Sequence, residues 1–264
     1  MQIPINTFKR AIEAGQLQIG LWAQLASSNA IEVVAGSGFD WLVIDAEHAP
    51  NELTTVNSQL QAVLGGATHA VVRVPWNDMV EIKRYLDIGA QSILIPYIET
   101  EEQARNAVSY TRYPPRGVRG YSAASRASSY GRVESYPNVC EGELCVLVQI
   151  ETVVGLENIE RIAAVDGING LFIGPGDLSA ALGHVGNPGH PEVATVIKDA
   201  IRRIRACGKP VGILTGDEAA AHRFIDYGCA FVAVGSDLGI LARGSEHLRA
   251  NFKNRSLRLI DTVP

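Results

Sequence analysis

Acidic, basic and imidazole side chains collect at the ends of a few apolar runs. WLVID, residues 41–45, ends in Asp45 and continues as Ala46-Glu47-His48. AVVRV, residues 70–74, carries Arg73 among otherwise apolar side chains. LCVLVQI, residues 144–150, places Gln149 directly before Ile150-Glu151. GLFIG, residues 170–174, runs into Pro175-Gly176-Asp177. If Glu151 and Asp177 meet, they repel unless a cation or a proton sits between them. An all-oxygen pair suits a hard divalent ion such as Mg²⁺ or Mn²⁺. The same two residues also precede helical patterns, so helix capping accounts for them as well. Arg73 in a core strand needs a counter-charge. It is either a buried ion pair with Asp45 or Glu47, or a fork for a substrate carboxylate or oxyanion. His48 is either a solvated loop imidazole or a general base. Glycines 174 and 176 offer bare backbone N–H groups to an anion at a helix start. His184 and His190 flank VGNPG downstream of Asp177 and could line the mouth of a site. His69, His222 and His247 read as structural or surface residues.

Residues this far apart act together only if the fold gathers them. Eight short apolar runs recur, at 19–25, 41–45, 70–74, 92–96, 144–150, 170–174, 210–214 and 230–234. They are nearly continuous rather than alternating, as in parallel strands covered on both faces. Helical patterns with start and stop signals lie between them, at 27–37, 77–89, 99–112, 152–164, 191–207, 216–228 and 237–252. Strand and helix alternating through eight units predict a single-domain (β/α)8 barrel spanning residues 1–264. A doubly wound open sheet wants a Gly-rich turn after its first strand. Here AQLASSNA follows instead, and GPGDLSAALG lacks the third glycine. In a barrel, polar residues at the C-terminal strand ends read as catalytic. Two long connections, 113–143 and 174–190, stand out, and the second leaves a strand end directly.

Composition removes other classes. The chain has 264 residues, 47% of them apolar, a net charge of -5 and a pI near 5.7. It can bury a large core and offers no basic footprint for nucleic acid. No apolar run approaches a membrane span, and the N-terminus turns polar and charged by Lys9. Cys140, Cys145, Cys207 and Cys229 form no CxxC pair. They read as small buried hydrophobes of a cytoplasmic protein. The lysines matter most. There are only five, Lys9, Lys83, Lys198, Lys209 and Lys253, against 18 arginines, and none falls at the C-terminal end of a predicted strand. Schiff-base chemistry needs a lysine there. A barrel of this sequence that stabilises an enolate must therefore use a metal and arginine.

IDAEHAP, VVRVPWND, TRYPPRGVRG, VQIET, FIGPGDLSAALG and FVAVGSD, in that order over residues 5–253, closely resemble the class II pyruvate-dependent aldolases. That family includes 4-hydroxy-2-oxoheptanedioate and 2-dehydro-3-deoxyglucarate aldolases. The resemblance implies reversible aldol cleavage of a 4-hydroxy-2-oxo acid. The first expectation is 4-hydroxy-2-oxoheptanedioate, giving pyruvate and succinate semialdehyde. The alternative is 2-dehydro-3-deoxyglucarate, giving pyruvate and tartronate semialdehyde. It implies Glu151 and Asp177 as ligands of Mg²⁺, Mn²⁺ or Co²⁺, with no nucleotide cofactor. It implies Gln149 and the backbone of Gly176 and Asp177 as the pyruvate site, Arg73 as the enolate stabiliser and His48 as the base. An acid that tunes His48 falls by motif on Asp87, within KRYLDIG. Asp45 is nearer in sequence, and both stay open. Gly176 departs from relatives that carry Ala or Ser. The resemblance further implies a hexamer, a trimer of dimers that exchange the last helix, about 237–252.

Two rival readings make different demands on the sequence. A CoA-thioester lyase of the malyl-CoA type would need a basic surface, and Arg112, Arg116, Arg119 and Arg126 form the single such cluster. A non-catalytic metabolite-binding ring would not need every acid, base and arginine at the expected strand ends. Arg119 and Arg126, or Tyr121, Ser122 and Ser125, are candidates for holding the aldehyde end of the substrate.

Overall fold

Each of the eight apolar runs forms a strand: β1 (Gln18–Ala23), β2 (Trp41–Asp45), β3 (His69–Arg73), β4 (Ser92–Ile95), β5 (Cys145–Ile150), β6 (Gly170–Ile173), β7 (Val211–Leu214) and β8 (Phe231–Ser236). The structure is a computed structural model that describes residues 1–260, with side chains through residue 253. All neighbours pair in parallel, and β8 pairs with β1, so the sheet closes into the predicted barrel. The helices are α1 (Thr7–Glu13), α2 (Ser28–Ala35), α3 (Leu53–Ala62), α4 (Met79–Asp87), α5 (Glu101–Thr111), α6 (Tyr136–Val139), α7 (Val153–Glu157), α8 (Ile159–Ala163), α9 (Pro175–Ala181), α10 (Pro191–Ala206), α11 (Glu218–Asp226) and α12 (Asp237–Ile260). Helices α6 and α9 lie within the two long connections, and α1 and α3 lie outside every segment read from the sequence as helical. Their apolar stripes are short, Phe8 and Ile12 in α1, and Val56 and Leu60 in α3.

Side chains alternate across a strand, so each strand feeds two cores. The larger core lies between strands and helices and takes Leu42, Ile44, Val72 and Val148. The smaller core fills the barrel with Trp22, Trp41, Val43, Val71, Leu94, Leu147, Phe172 and Phe231. Gly20 makes room there, because a Cβ on it would fall inside the Trp41 indole. Continuing the inward alternation past Val43, Val71 and Leu147 gives Asp45, Arg73 and Gln149, then Glu151. The strands thus deliver the polar set to the C-terminal mouth.

The opposite end is closed by α1. Phe8 and Ile12 are 1% exposed and join the barrel core, where Phe8 packs on Trp41, His69 and Phe231. Asn6 caps the helix through Lys9 N–H and donates to Ser92 Oγ at 2.9 Å and the Glu143 carbonyl at 3.0 Å. The N-terminal segment is therefore a plug. Burial beside it holds His69 down at about 4, so this imidazole stays neutral and structural.

The connection 113–143 follows a helix and so returns to the N-terminal, plugged face. Its arginines serve that face. Arg119 is fully buried against Asp87 at 2.8 Å, and Arg126 donates to the Ile88 and Leu60 carbonyls. Within one chain neither reaches the mouth, so an aldehyde contact from this loop would have to come from a neighbouring subunit. Arg112 and Arg116 share Glu141, and Arg112 also meets Asp166. Three of the four clustered arginines are thus neutralised by carboxylates, which removes the basic surface a CoA ester would want. All four cysteines are free, and Cys140, Cys145 and Cys229 are buried. Among the described residues, no helix is long and apolar enough to cross a membrane.

Candidate active site

Asp45 ends β2 with no exposure to solvent. Arg73, opposite it on β3, grips it with two prongs, Nε to Oδ1 at 2.9 Å and Nη2 to Oδ2 at 2.6 Å. Trp22 Nε1 adds a third donor at 3.1 Å, and the backbone N–H groups of Glu47 and His48 supply two more. Burial pushes the Asp45 carboxyl up. The Arg73 hydrogen bonds and charge, with the two N–H groups, outweigh it and leave Asp45 below the ordinary carboxylate value. Arg73 also lies over the Trp22 ring, with Cζ 5.0 Å from its centroid. Its remaining prong, Nη1, meets Glu47 Oε2 at 2.8 Å. Both ion-pair partners foreseen for Arg73 are therefore present at once, and the guanidinium stands at a strand end rather than within the core.

Glu151 follows β5 and is 1% exposed. It accepts from Tyr97 N–H at 2.8 Å and from Gln149 Nε2. Burial first, then the charges of Glu47 and Asp177, push its carboxyl up to about 7 against those hydrogen bonds. Asp177 sits in the first turn of α9 and accepts from Tyr97 Oη at 3.2 Å. Tyr97 thus touches both acids, one through its backbone and one through its phenol. It does so because its backbone adopts φ 53, a left-handed conformation that few non-glycine residues hold. Burial and the two acids push its phenol up to about 12. The sequence reading missed Tyr97. The available signal was a polar aromatic immediately after the β4 run.

The carboxylate pair fits a divalent ion. Two acids converge on Tyr97, one of them is driven toward protonation, and Gln149 Oε1 is buried without a donor. Gly174 keeps this corner open. A Cβ there would collide with Glu151 Oε2 and lie 2.9 Å from Gln149 Nε2. Gly174→Ala is expected to leave the barrel folded and to cut turnover by about 10²-fold or more, as small misplacements at a reacting centre do. Circular dichroism and kcat on one preparation check this. By contrast, a Cβ on Gly176 meets nothing within 4 Å. A side chain fits there, so the backbone N–H is what that position can contribute.

His48 stands in the mouth with its side chain 55% exposed. Its ring touches neither acid proposed to tune it. Asp45 contacts only its backbone N–H, and Asp87, at the plugged end, pairs with Arg119. The carboxylate within reach of the ring is Glu47, with Oε1 3.9 Å from Nε2. Burial holds the Glu47 carboxyl above its ordinary value despite Arg73 and His48. The lysines lie elsewhere. Lys9 and Lys209 donate to the Gly142 and Ile168 carbonyls, and Lys198 lies over Tyr227.

A closed barrel with these acids, arginine and imidazole at its mouth matches a known family. Residues 18–243 fit the HpcH/HpaI aldolase/citrate lyase family. The chain belongs to that family. It is 54% identical over 252 residues to a pyruvate aldolase of Rhizobium etli, covering 96% of this chain and 99% of that protein. It is 52% identical over 257 residues to a 4-hydroxy-2-oxo-heptane-1,7-dioate aldolase of Klebsiella pneumoniae, covering 97% of each. A crystal structure of an HpcH/HpaI aldolase/citrate lyase family protein from Burkholderia cenocepacia superposes with a TM-score of 0.91. Its sequence is 37% identical, over 94% of this chain and 99% of that one. This aldolase is accordingly a carbon–carbon lyase.

Proposed function

We propose that this aldolase cleaves 4-hydroxy-2-oxoheptanedioate to pyruvate and succinate semialdehyde, with a divalent cation held by Glu151 and Asp177. The observation that carries the reaction type is the pairing of an anionic corner with an arginine and an imidazole. Glu151, Asp177 and Gln149 form a corner that wants a cation, and Arg73 and His48 stand across the mouth from it. The choice of substrate rests on the relatives named for it at this level of identity.

Mg²⁺, Mn²⁺ or Co²⁺ at that corner would act as a Lewis acid toward the 2-oxo group of the substrate. The chain's own residues supply the rest. The Gln149 amide N–H and the N–H groups of Gly176 and Asp177 hold the carboxylate end. Arg73 stabilises the charge that grows on the keto oxygen. His48, exposed in the mouth, takes the proton from the 4-hydroxyl through a water as the bond between C3 and C4 breaks, and the same proton returns to C3 of the enolate to give pyruvate. Asp45 keeps Arg73 charged and aimed.

Asp87 lies at the far end of its own barrel, so any effect on His48 comes from a neighbouring subunit. A hexamer built as a trimer of dimers with α12 exchanged would provide one. Leu238, Ile240, Leu241 and Leu248 on α12 are exposed in the single chain, as an exchanged helix requires.

The test is a rate comparison. Pyruvate release from 4-hydroxy-2-oxoheptanedioate is expected to exceed that from 2-dehydro-3-deoxyglucarate with each of the three cations. A higher kcat/KM on the sugar acid moves the assignment to the latter.

A further inference from the structure

We propose that His184, His190 and Glu192 form a second cation site, of zinc-binding type, separate from the Glu151 and Asp177 pair. One donor atom from each of the three side chains lies within 4.8 Å of the others. The His184 Nε2 to Glu192 Oε2 distance is 2.9 Å. The two imidazoles stack with centroids 3.5 Å apart and planes 18° from parallel.

The backbone builds this cluster. Asn187 N–H donates to the His184 carbonyl at 2.9 Å, and His190 N–H donates to the Asn187 carbonyl at 3.1 Å. These two successive turns bring His184 and His190 back together, and Gly183 and Gly186 supply the positive φ angles the path needs. His184 N–H is pinned to the Ser179 carbonyl at 2.7 Å, which fixes the loop to the end of α9. The seven residues of α9 span about 10 Å, which sets this cluster apart from Asp177 at the start of that helix.

Donor chemistry selects the ion. Two imidazoles and one carboxylate are the set that suits zinc and similar borderline ions, with a fourth position left to water. Mg²⁺ prefers oxygen alone. Binding requires the rings to turn out of their stack so that both lone pairs converge. If His190 binds through Nδ1, that nitrogen leaves the Glu192 N–H it now accepts at 3.3 Å, an exposed donor that water then satisfies. The start of α10 is the positive end of its dipole, and Glu192 in the first turn supplies the compensating charge. An occupied site would tie the loop behind Asp177 to α10.

The inference does not depend on the reaction proposed above, and its test removes that site. In Glu151→Gln/Asp177→Asn protein, titration with zinc chloride by calorimetry is expected to show one ion bound per chain. Adding His184→Ala and His190→Ala is expected to weaken binding by about 100-fold or more. Cobalt should give a visible band in the first protein that the second lacks. Equal zinc uptake by both proteins, or none by either, leaves only an ion pair and a helix cap, and overturns the proposal. If the carboxylate variants fail to fold, the same comparison runs on the unmodified chain against His184→Ala/His190→Ala, both in excess Mg²⁺. The same zinc isotherm for the two would overturn it there.

Discussion

Glu151→Gln is expected to lower pyruvate release by about 10³-fold or more, and no added cation is expected to restore it. Chelator treatment of the unmodified aldolase should produce the same loss, with recovery on adding Mg²⁺, Mn²⁺ or Co²⁺. The expectation rests on burial. Glu151 is 1% exposed, and burial with nearby Glu47 and Asp177 raises its carboxyl from 4.5 to about 7 in the metal-free chain. A cation binds the ionised form, so affinity should climb about tenfold per pH unit below 7 and level off above it. Stability of the metal-free chain should run the other way. A raised carboxyl favours the protonated fold, so its contribution, about 3 kcal/mol, is complete below 4.5 and lost as pH rises through 7. Metal titrations and urea unfolding at several pH values check both slopes. Full activity after chelation and dialysis would refute the cation's role.

Arg73→Ala is expected to cut kcat by about 10²–10³-fold, the usual cost of one donor to a developing oxyanion. It should also destabilise the chain by about 3–5 kcal/mol, because Asp45 would be left buried and unpaired. The two effects separate in Arg73→Lys. That change restores a positive charge beside Asp45 without the two-pronged grip, so stability should recover more than kcat does. Near-normal kcat in folded Arg73→Ala protein would make the arginine purely structural.

The strands were legible as continuous apolar runs, and the polar residues at their C-terminal ends marked Asp45, Arg73, Gln149 and Glu151. Asp177 was legible because the β6 run leads through Gly174 straight into a helix start. Tyr97 was not, because its contact with both acids depends on one left-handed backbone angle that side-chain pattern does not encode. The acid beside His48 was also hidden. Spacing pointed to Asp45, but Asp45 spends its oxygens on Arg73, Trp22 and two backbone groups, which leaves Glu47 facing the ring. Helix α1 escaped because a two-residue stripe carries little periodic signal. The destination of loop 113–143 is not written in its composition. Its place after a helix, not a strand, sends it to the plugged face.

That plug matters to the fold rather than to the chemistry. The barrel interior is a packed core and not a channel, and Phe8 and Ile12 are its lowest layer. Without α1, Trp41, His69 and Phe231 would lose the ring packed against them. The reacting end of the molecule therefore stands on a floor laid by the first helix of the chain, at the end where no chemistry occurs.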